Sequence, residues 1–264
     1  ITVQFDLNIE GSGVVSSDPF GDTDTFTGIR ELRATSSADT IMGGAGRQIF
    51  ATLDGADTID GGAGQDEARY DQDANYGGTL ALNLDMEIVD TNGYATATDG
   101  WGKEDLIRNV EDIRGTGSAD FIGGDSAENN FRGRAGDDVL AGRGGNDTLQ
   151  GENGADSLDG GSGADILVGG SGNDSITGGS GDDWMRGDLD ADLFIFNTGD
   201  GNDTIADFVL GEDMLSLQTG LTITSHTEAD VDSAAGLDTI LTLSSNDTIT
   251  LSGVTGISDT SLLF

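Results

Sequence analysis

A nine-residue repeat is the feature that most constrains how this chain can fold. From Gly124 onwards, eight consecutive units carry Gly at place one, Asp or Asn at place six and an apolar residue at place eight. The place-six residues are Asn129, Asp138, Asp147, Asp156, Asp165, Asp174, Asp183 and Asp192. The place-eight residues are Phe131, Leu140, Leu149, Leu158, Leu167, Ile176, Met185 and Phe194. Three columns kept in phase in this way indicate one structural unit repeated along a solenoid.

The spacing within a unit predicts a strand followed by a turn. Side chains alternate between the two faces of a strand, so in Thr148-Leu149-Gln150 only Leu149 points inward. We expect the six preceding residues, which are rich in Gly and bear the Asp, to form the turn. Two units then make one coil of 18 residues, with its strands stacked about 4.8 Å from those of the next coil. The predicted fold is all-β, a parallel β-roll (β-solenoid).

The same frame continues upstream in a less regular form. Unit 115–123 supplies Asp120, and units 34–42, 43–51, 52–60 and 61–69 place Asp39, Gln48, Asp57 and Asp66 at place six. Gln48 interrupts the acidic column, and Ala68 is a small residue in the apolar column. We interpret this stretch as a degenerate first copy of the roll.

A longer repeat lies over the nonapeptides. Residues 20–43 align with residues 101–124 at an offset of 81, and an alternating apolar stretch precedes each, at 3–7 and 80–84. Alternation with period two predicts a half-buried strand. Residues 221–264 also alternate, which predicts a β cap over the end of the roll. The predicted organisation is therefore a strand lead-in with degenerate repeats (1–78), a second lead-in with the main roll (79–196) and a C-terminal β cap (197–264).

Charge and composition narrow the function. The chain has 11 Lys+Arg against 49 Asp+Glu, a formal net charge of −38, which argues against nucleic acid or anionic lipid as a partner. Disorder, salt adaptation or a cation-binding scaffold could each explain such acidity, and the fixed intervals between the acids favour the scaffold. Cysteine is absent, which excludes disulfides and thiolate metal sites. No apolar run approaches the length that spans a membrane.

The spacing of the acids points to a metal. Acidic residues 18 apart line one edge of the roll, where neighbouring carboxylates repel by roughly 3 kcal/mol at an effective dielectric constant near 20. A cation between coils would relieve this repulsion. Calcium accepts six to eight oxygens in flexible geometry, whereas magnesium requires a strict octahedron and zinc prefers Cys and His, of which the chain has only His226. We therefore predict several Ca²⁺ ions whose binding supplies folding free energy, and a roll that is largely disordered without them.

The pattern GGxGxDx(apolar)x resembles the repeats-in-toxin (RTX, hemolysin-type) calcium-binding family, over roughly residues 34–69 and 106–208. In that family each calcium lies between turns two units apart, with carbonyls from places two and four of one turn, carbonyls from places one and three of the other, and both place-six Asp residues. The resemblance implies that Gly161, Gly163 and Asp165 share a calcium with Gly178, Ser180 and Asp183. It likewise groups Gly170, Gly172 and Asp174 with Gly187, Leu189 and Asp192. The expected metal-site residues are Asp39, Asp57, Asp66, Asp120, Asn129, Gly133, Gly136, Asp138, Gly142, Gly144, Gly145, Asp147, Gly151, Asn153, Gly154, Asp156, Gly160, Gly161, Ser162, Gly163, Asp165, Gly169, Gly170, Ser171, Gly172, Asp174, Gly178, Gly179, Ser180, Gly181, Asp183, Gly187, Leu189 and Asp192.

The resemblance also implies a route out of the cell. Residues 192–213 are similar to the segment that closes such rolls, and residues 258–264 to an uncleaved C-terminal signal for type I secretion. Scarce cytosolic calcium would keep the chain unfolded inside, and abundant external calcium would fold it outside. We therefore expect a bacterial protein that is secreted or held at the cell surface, with the type I machinery as a partner.

Three functions remain open at this point. The first is a non-catalytic calcium-binding module that folds after secretion and stabilises or caps a larger exported protein. The second is a component of a cell-surface or matrix assembly that associates with itself. The third is a polysaccharide-binding module of a carbohydrate-active enzyme, in which Trp101 or Trp184 could stack on a sugar. No nucleophile motif accompanies His226, so we expect no enzyme activity within these residues.

Overall fold

The computed structural model describes residues 2–5, 13–17, 24–26, 30–71, 78–229 and 237–255, the first three stretches as backbone alone. The contacts divide the chain into an N-terminal unit, residues 1–124 with 130–134, and a C-terminal unit, residues 125–129 with 135–264. None of the described residues lies in a helix, and so no described helix is long and apolar enough to cross a membrane. The prediction of an all-β fold is confirmed.

The N-terminal unit is built from short strands. They are β1 (Thr2–Phe5), β2 (Gly13–Ser17), β3 (Asp24–Phe26), β4 (Glu31–Arg33), β5 (Thr40–Met42), β6 (Ile49–Ala51), β7 (Thr58–Asp60), β8 (Glu67–Arg69), β9 (Asn83–Val89), β10 (Ala95–Thr98), β11 (Glu104–Arg108), β12 (Asp112–Arg114), β13 (Phe121–Gly123) and β14 (Asn130–Ala135). One sheet has the order β13-β9-β10-β11-β7-β5-β1-β2-β3, and the other β14-β12-β8-β6-β4. Strands from consecutive coils pair in parallel, as in β5–β7 and β6–β8.

The C-terminal unit repeats the same arrangement with longer strands. They are β15 (Val139–Gly144), β16 (Thr148–Asn153), β17 (Ser157–Ser162), β18 (Ile166–Ser171), β19 (Ser175–Ser180), β20 (Trp184–Leu189), β21 (Leu193–Phe196), β22 (Asn202–Ile205), β23 (Met214–Leu217), β24 (Ile223–Ala229), β25 (Asp238–Leu243) and β26 (Thr248–Leu251). The parallel order is β15-β17-β19-β21-β23 on one side and β16-β18-β20-β22 on the other. Register partners are 18 residues apart, as for Leu149 and Leu167, so the predicted coil length is confirmed.

The predicted division of the unit into three strand residues and six turn residues is wrong. In β16 the strand runs from place seven through place three of the next unit, so only three residues remain for the turn. Pairing with β18 joins Gln150 to Val168 and then Glu152 to Gly170, passing over the place-one glycines. Because Gly151 is buried and has no side chain, the strand can bend there and keep its hydrogen-bonded partner.

The place-eight residues form the core of each coil. In the main roll their side chains are at most 1% exposed, and they stack in register from coil to coil, as Leu167 does on Leu149 and Met185. Phe50 and Ala68 take the same position in the N-terminal unit. The apolar column is therefore a continuous interior within each unit, as the sequence predicts.

The second lead-in begins later than its alternation suggests. Leu80 is 53% exposed, and β9 starts at Asn83 with Leu82 and Leu84 buried. The N–H groups of Thr79 and Leu80 both donate to the carbonyl of Gly100, in the turn that follows β10, so this stretch does not form a strand. In the first copy β1 pairs in parallel with β5. Residues 6–7 and most of 20–29 lie outside the described residues.

The alternating tail forms an antiparallel meander. β24 pairs with β25 and β25 with β26, and β26 continues the roll by pairing in parallel with β22. Leu241 and Ile249 face the interior and are fully buried. This arrangement agrees with the predicted β cap. The predicted secretion signal at 258–264 lies outside the described residues.

Candidate metal centre

The place-six side chains form carboxylate ladders along the main roll. In each ladder, one carboxylate oxygen accepts a hydrogen bond from the backbone N–H of the place-six residue 18 positions earlier. Asp147 N–H donates to Asp165 Oδ1 at 2.7 Å, and Asp156 N–H donates to Asp174 Oδ1 at 2.8 Å. The bonds Asn129 to Asp147, Asp138 to Asp156, Asp165 to Asp183 and Asp174 to Asp192 repeat this geometry. The structure thus brings the two predicted acidic columns of the C-terminal unit into register.

The second oxygen of these carboxylates is buried without a hydrogen-bond partner. This holds for Oδ2 of Asp147, Asp156, Asp165, Asp174 and Asp183, whose residues are at most 3% exposed. A buried charged oxygen with no partner is costly, because it loses its hydration and receives nothing in return. A repeated row of such atoms indicates a position that a cation or a proton must satisfy.

The place-one glycines make room for that oxygen. A Cβ atom on Gly151 would lie 2.1 Å from Asp156 Oδ2 and 2.7 Å from the Gly169 carbonyl oxygen. On Gly142 it would lie 2.2 Å from Asp147 Oδ2 and 2.7 Å from the carbonyl oxygen of Gly160. Any other residue would therefore fill the space in which a carboxylate oxygen and a carbonyl of the next coil meet.

Backbone carbonyls of the turns also lie close against the glycines of the next coil. Gly161 and Gly163 have φ angles of +98° and +135°, in the region that favours glycine. A Cβ atom on them would lie 2.3 Å from the Arg143 carbonyl oxygen and 1.6 Å from that of Gly145. Carbonyls at places two and four of one coil thus face the same places of the next coil.

Place-three carbonyls already accept one hydrogen bond each. Gly154 N–H donates to the Ser171 carbonyl at 2.8 Å, and Gly163 N–H donates to the Ser180 carbonyl at 2.9 Å. The carbonyl of Leu189 accepts from Gly172 N–H at 3.3 Å, although the Leu189 side chain is 66% exposed. A carbonyl oxygen has two lone pairs, so each can still coordinate a cation.

Burial raises the pKa of the ladder carboxyls. The pKa rises to about 7 for Asp174 and Asp192 and to about 6 for Asp147 and Asp183. In each case burial is the largest cause, the backbone hydrogen bond opposes it, and neighbouring carboxylates raise the pKa further. No cationic side chain is among the principal influences on these groups, so the protein itself does not neutralise them.

The first copy shares part of this arrangement. Asp39 N–H donates to Asp57 Oδ1 and Gln48 N–H to Asp66 Oδ1, both at 2.7 Å. Oδ2 of Asp57 and of Asp66 is buried without a partner, and burial raises the pKa of both carboxyls to about 7. The N-terminal unit therefore repeats the geometry of the main roll at these two positions.

The N-terminal ladders continue through residues that sequence reasoning missed. Asp57 N–H donates to Asp105 Oδ1 at 2.9 Å, and Asp66 N–H donates to Glu111 Oε2 at 3.0 Å. The partners are 48 and 45 residues apart, because the lead-in is inserted between coils. The signal was present in Asp105-Leu106-Ile107, where an apolar residue follows the acid at the usual distance.

Two further ladder members lie beyond the last regular unit. Asp183 N–H donates to Asp203 Oδ1 and Asp192 N–H to Asp213 Oδ1, both at 3.0 Å, over 20 and 21 residues. Asn202-Asp203-Thr204-Ile205 repeats the local sequence of Asn146-Asp147-Thr148-Leu149. A search for that local pattern without a fixed period would have found Asp203.

Asp39 and Asp120 have a different environment from the other place-six acids. Asp39 Oδ2 accepts hydrogen bonds from Thr35 N–H at 2.7 Å and from Thr35 Oγ1 at 2.8 Å. Thr116 donates to both oxygens of Asp120, from its N–H to Oδ2 at 2.6 Å and from its hydroxyl to Oδ1 at 2.7 Å. A threonine at place two thus gives these carboxylates the partners that the other ladder members lack.

Gln48 and Asn129 also form hydrogen bonds within their own turns. Gln48 Oε1 accepts from Gly44 N–H at 3.0 Å, and Nε2 donates to the carbonyls of Ala45 and Gly46 at 3.2 and 2.5 Å. The amide nitrogen therefore contacts carbonyls that point to a cation position in other turns. Asn129 Oδ1 accepts from the N–H of Asp125 at 3.1 Å.

The aromatic and histidine candidates lie away from the ladders. Trp184 is on an outward position of β20 and is 36% exposed. His226 is exposed on β24 opposite Leu241. Trp101 is half-buried in a turn whose N–H groups at Trp101 and Lys103 donate to Asp99. The structure brings none of these three to the oxygen-lined turns.

The donor set fits one kind of cation. The turns offer carboxylate and carbonyl oxygens only, at a spacing set by stacked coils. Calcium accepts such a mixed oxygen set in flexible geometry, whereas zinc requires nitrogen or sulfur ligands. Among the described residues no group of three or more His, Cys, Asp or Glu side chains is placed to hold a metal, so backbone carbonyls must supply part of any coordination shell.

Comparison with known proteins identifies the repeat. The family model of the RTX calcium-binding nonapeptide repeat matches residues 33–68 and, in overlapping stretches, residues 111–194. The sequence has no significant match among curated proteins. Among solved structures, the chain is similar to the extracellular lipase LipA from Serratia marcescens, with 18% identity over 91% of this chain and a TM-score of 0.35. The chain spans 40% of the length of that lipase.

Proposed function

Because this chain carries RTX calcium-binding nonapeptide repeats, we propose that it is a non-catalytic extracellular module that folds around calcium after type I secretion. In this role it stabilises or caps a larger secreted protein. The observation that carries the proposal is the row of buried, unpartnered Oδ2 atoms at place six. Calcium would be the positively charged partner that these oxygens lack.

The ligands we assign follow the repeat. Asp165, with carbonyls of Gly161 and Gly163, shares an ion with Asp183 and the carbonyls of Gly178 and Ser180. The unpartnered Oδ2 of both acids and the turn carbonyls that lie against the glycines of the next coil support this assignment. The remaining place-six acids of the main roll, with Asp57 and Asp66, hold ions by the same rule.

Three turns are assigned no ion or a weaker one. Asp39 and Asp120 are hydrogen bonded by Thr35 and Thr116, and the Gln48 amide already contacts two turn carbonyls. Side chains thus provide in these turns what calcium provides elsewhere. We propose that these three turns close without a tightly bound ion.

Secretion is supported by the cost of the empty ladders. Without calcium, each buried carboxylate must either take up a proton or leave the roll, so the unfolded chain is favoured where calcium is scarce. An unfolded chain suits export through a narrow channel. External calcium then folds the exported part, which cannot return through the channel. The surplus of acidic residues in the chain agrees with this dependence.

We propose no enzymatic role for these residues. The buried acids are engaged in ladders, and His226 is exposed on the outer meander. Self-association at a surface or in a matrix remains a prediction without a structural feature that favours it. Polysaccharide binding is favoured by a separate cleft in the N-terminal unit.

A calcium titration of the full chain tests the proposal. After exhaustive chelation, far-UV circular dichroism should show loss of β structure, and calorimetry should show that added calcium restores it with several ions bound per chain. Magnesium at the same concentrations is the control and should restore little. A spectrum that does not change between chelated and calcium-loaded protein would contradict the proposal.

A further inference from the structure

Arginine side chains line the outer face of one sheet in the N-terminal unit. Arg69, Arg114 and Arg132 occupy neighbouring strands β8, β12 and β14 and are direct register partners. Parallel strands lie about 4.8 Å apart, so a guanidinium group is offered at that interval along the face. This is unexpected in a chain with 11 Lys+Arg and 49 Asp+Glu.

These arginines line a cleft of about 150 Å³ that also includes Arg47. Its charged lining consists of four arginines and two acids, Glu67 and Asp112. The lining therefore has a surplus of two positive charges, while the whole chain has a net charge of −38. The cleft is suited to an anionic ligand.

Ion pairs within the cleft account for only part of the positive charge. Arg47 pairs with Glu67 at 2.9 Å and with Asp112 at 3.2 Å, and Arg69 pairs with Glu67 at 2.7 Å. In the described part of the chain the carboxylate nearest to Arg114 is that of Asp71, at 3.7 Å, and Arg69 lies at the same distance from Glu31. Among the described residues Arg132 has no ion pair within 4 Å. Arg132 is thus the cation most available to a ligand, and Arg114 is held only by its long ion pair with Asp71 in the described structure.

Three buried polar atoms at the cleft have no hydrogen-bond partner in the described structure. They are Arg114 Nε, a donor, and Asp112 Oδ1 and Asn130 Oδ1, both acceptors. A simple inorganic anion could satisfy the donor but would leave the two acceptors unpaired. The ligand that suits this set carries an anionic oxygen group and hydroxyl groups together.

We propose that the cleft binds a uronic acid residue of an acidic polysaccharide. The planar guanidinium groups of Arg114 and Arg132 match the geometry of a carboxylate. Asp112 and Asn130 would accept hydrogen bonds from the sugar hydroxyls. The volume is below the roughly 300–1,000 Å³ of ordinary ligand pockets, so one sugar enters and its neighbours follow the open arginine face.

Titration calorimetry on the calcium-saturated full chain tests this site, with trigalacturonate as the probe. Binding is expected for the wild type. It should weaken by roughly tenfold to a hundredfold in Arg114→Gln and Arg132→Gln, because each loses a charge-assisted hydrogen bond. Arg132→Lys should show an intermediate loss, since lysine keeps the positive charge but lacks the planar group that donates two hydrogen bonds to one carboxylate. Arg186→Gln, which lies outside the cleft, is the matched control and should bind as the wild type does.

Several outcomes would overturn the proposal. The first is that the wild type does not bind trigalacturonate. The second is that the wild type and both Gln variants bind it equally, which would indicate that the ligand contacts only bound calcium. If the methyl ester of trigalacturonate binds as tightly as trigalacturonate, the carboxylate is not recognised. If inorganic sulfate binds as tightly, the sugar is not recognised. Matching circular dichroism and calcium stoichiometry in every variant ensures that a loss of binding reports the cleft.

Discussion

Asp147 N–H donates a 2.7 Å hydrogen bond to Oδ1 of Asp165, while Oδ2 of Asp165 is buried with no partner. The same carboxylate therefore does two things. One oxygen fixes the distance between two coils through the backbone, and the other is left for a cation or a proton. The two functions can be separated by mutation.

Asp165→Asn should weaken calcium binding and leave the coil spacing intact. The amide oxygen can still accept the hydrogen bond from Asp147, but the ligand charge is lost, and we expect calcium affinity at that site to fall by at least about tenfold. Calorimetry of the calcium titration measures this. Asp137→Asn removes the same charge from an exposed place-five residue and should have little effect. Equal losses in both variants would show that net charge, and not coordination, controls affinity.

Gly151→Ala should disrupt a metal turn through sterics alone. The new methyl group would lie 2.1 Å from Asp156 Oδ2, so the carboxylate must move out of its position at a cost of about 1–3 kcal/mol. The thermal unfolding temperature with calcium should fall. Gly144→Ala is the control, because its nearest neighbour is the movable Ser162 hydroxyl at 3.2 Å. A Gly151→Ala protein with unchanged calcium stoichiometry and stability would contradict this account of the place-one column.

Gln48→Asp should create a calcium site. The substitution removes the amide that contacts the carbonyls of Ala45 and Gly46 and adds a carboxylate. We expect one additional ion per chain and a lower stability of the metal-free N-terminal unit. Gln48→Ala loses the amide without adding charge, so it should be destabilised and gain no ion. The idea fails if both variants bind the same number of ions as the wild type.

The metal-free roll should be more stable in mild acid than at pH 8. The folded pKa of Asp174 and Asp192 is about 7, well above the usual value near 3.8. The folded state therefore binds more protons than the unfolded state between these values, and stability rises as pH falls from about 7 towards 4. Far-UV circular dichroism of the chelated protein from pH 8 to pH 5 measures this, because the folded fraction should increase as the carboxyls take up protons. Stability that increases with pH under these conditions would show that the carboxyls are not buried as described.

The same shift affects calcium binding in the opposite direction. Protons and calcium compete for one oxygen, so calcium affinity should decrease as pH falls below about 7. Calorimetry in two buffers of different ionisation enthalpy should detect protons released on binding near pH 6. At pH 8 the release should be close to zero, which serves as the internal control.

The fold could be predicted because the apolar residue at place eight recurs at a constant interval, and each coil has a constant length. Leu149 and Leu167 fall in one column, and that column became a buried stack with the expected register. The strand length could not be predicted, because the left-handed turns at Gly161 and Gly170 interrupt the side-chain alternation without interrupting the backbone pairing. Alternation at Leu80 was equally misleading, since the chain turns there to meet Gly100.

The site was predictable only in its regular part. Asp165 and Asp183 were found by their period, whereas Asp105 and Asp203 continue the ladders after insertions that break the period. Asp39 differs from the other place-six acids because its Oδ2 accepts a hydrogen bond from the Thr35 hydroxyl, which the spacing of the acids does not predict. Fixed-period reasoning thus describes the interior of the roll better than its ends.

The threonine-bonded turns give the assembly of the roll a direction. Thr35 with Asp39 and Thr116 with Asp120 complete their turns from covalently local groups, so they can form at any calcium concentration. Under the function proposed above, the coils of the main roll need both a neighbour to stack on and an ion to hold them. The register of the first coil is therefore already set when calcium binds. Coils added to it can form fewer strand pairings that are out of register, although the repeats are nearly identical.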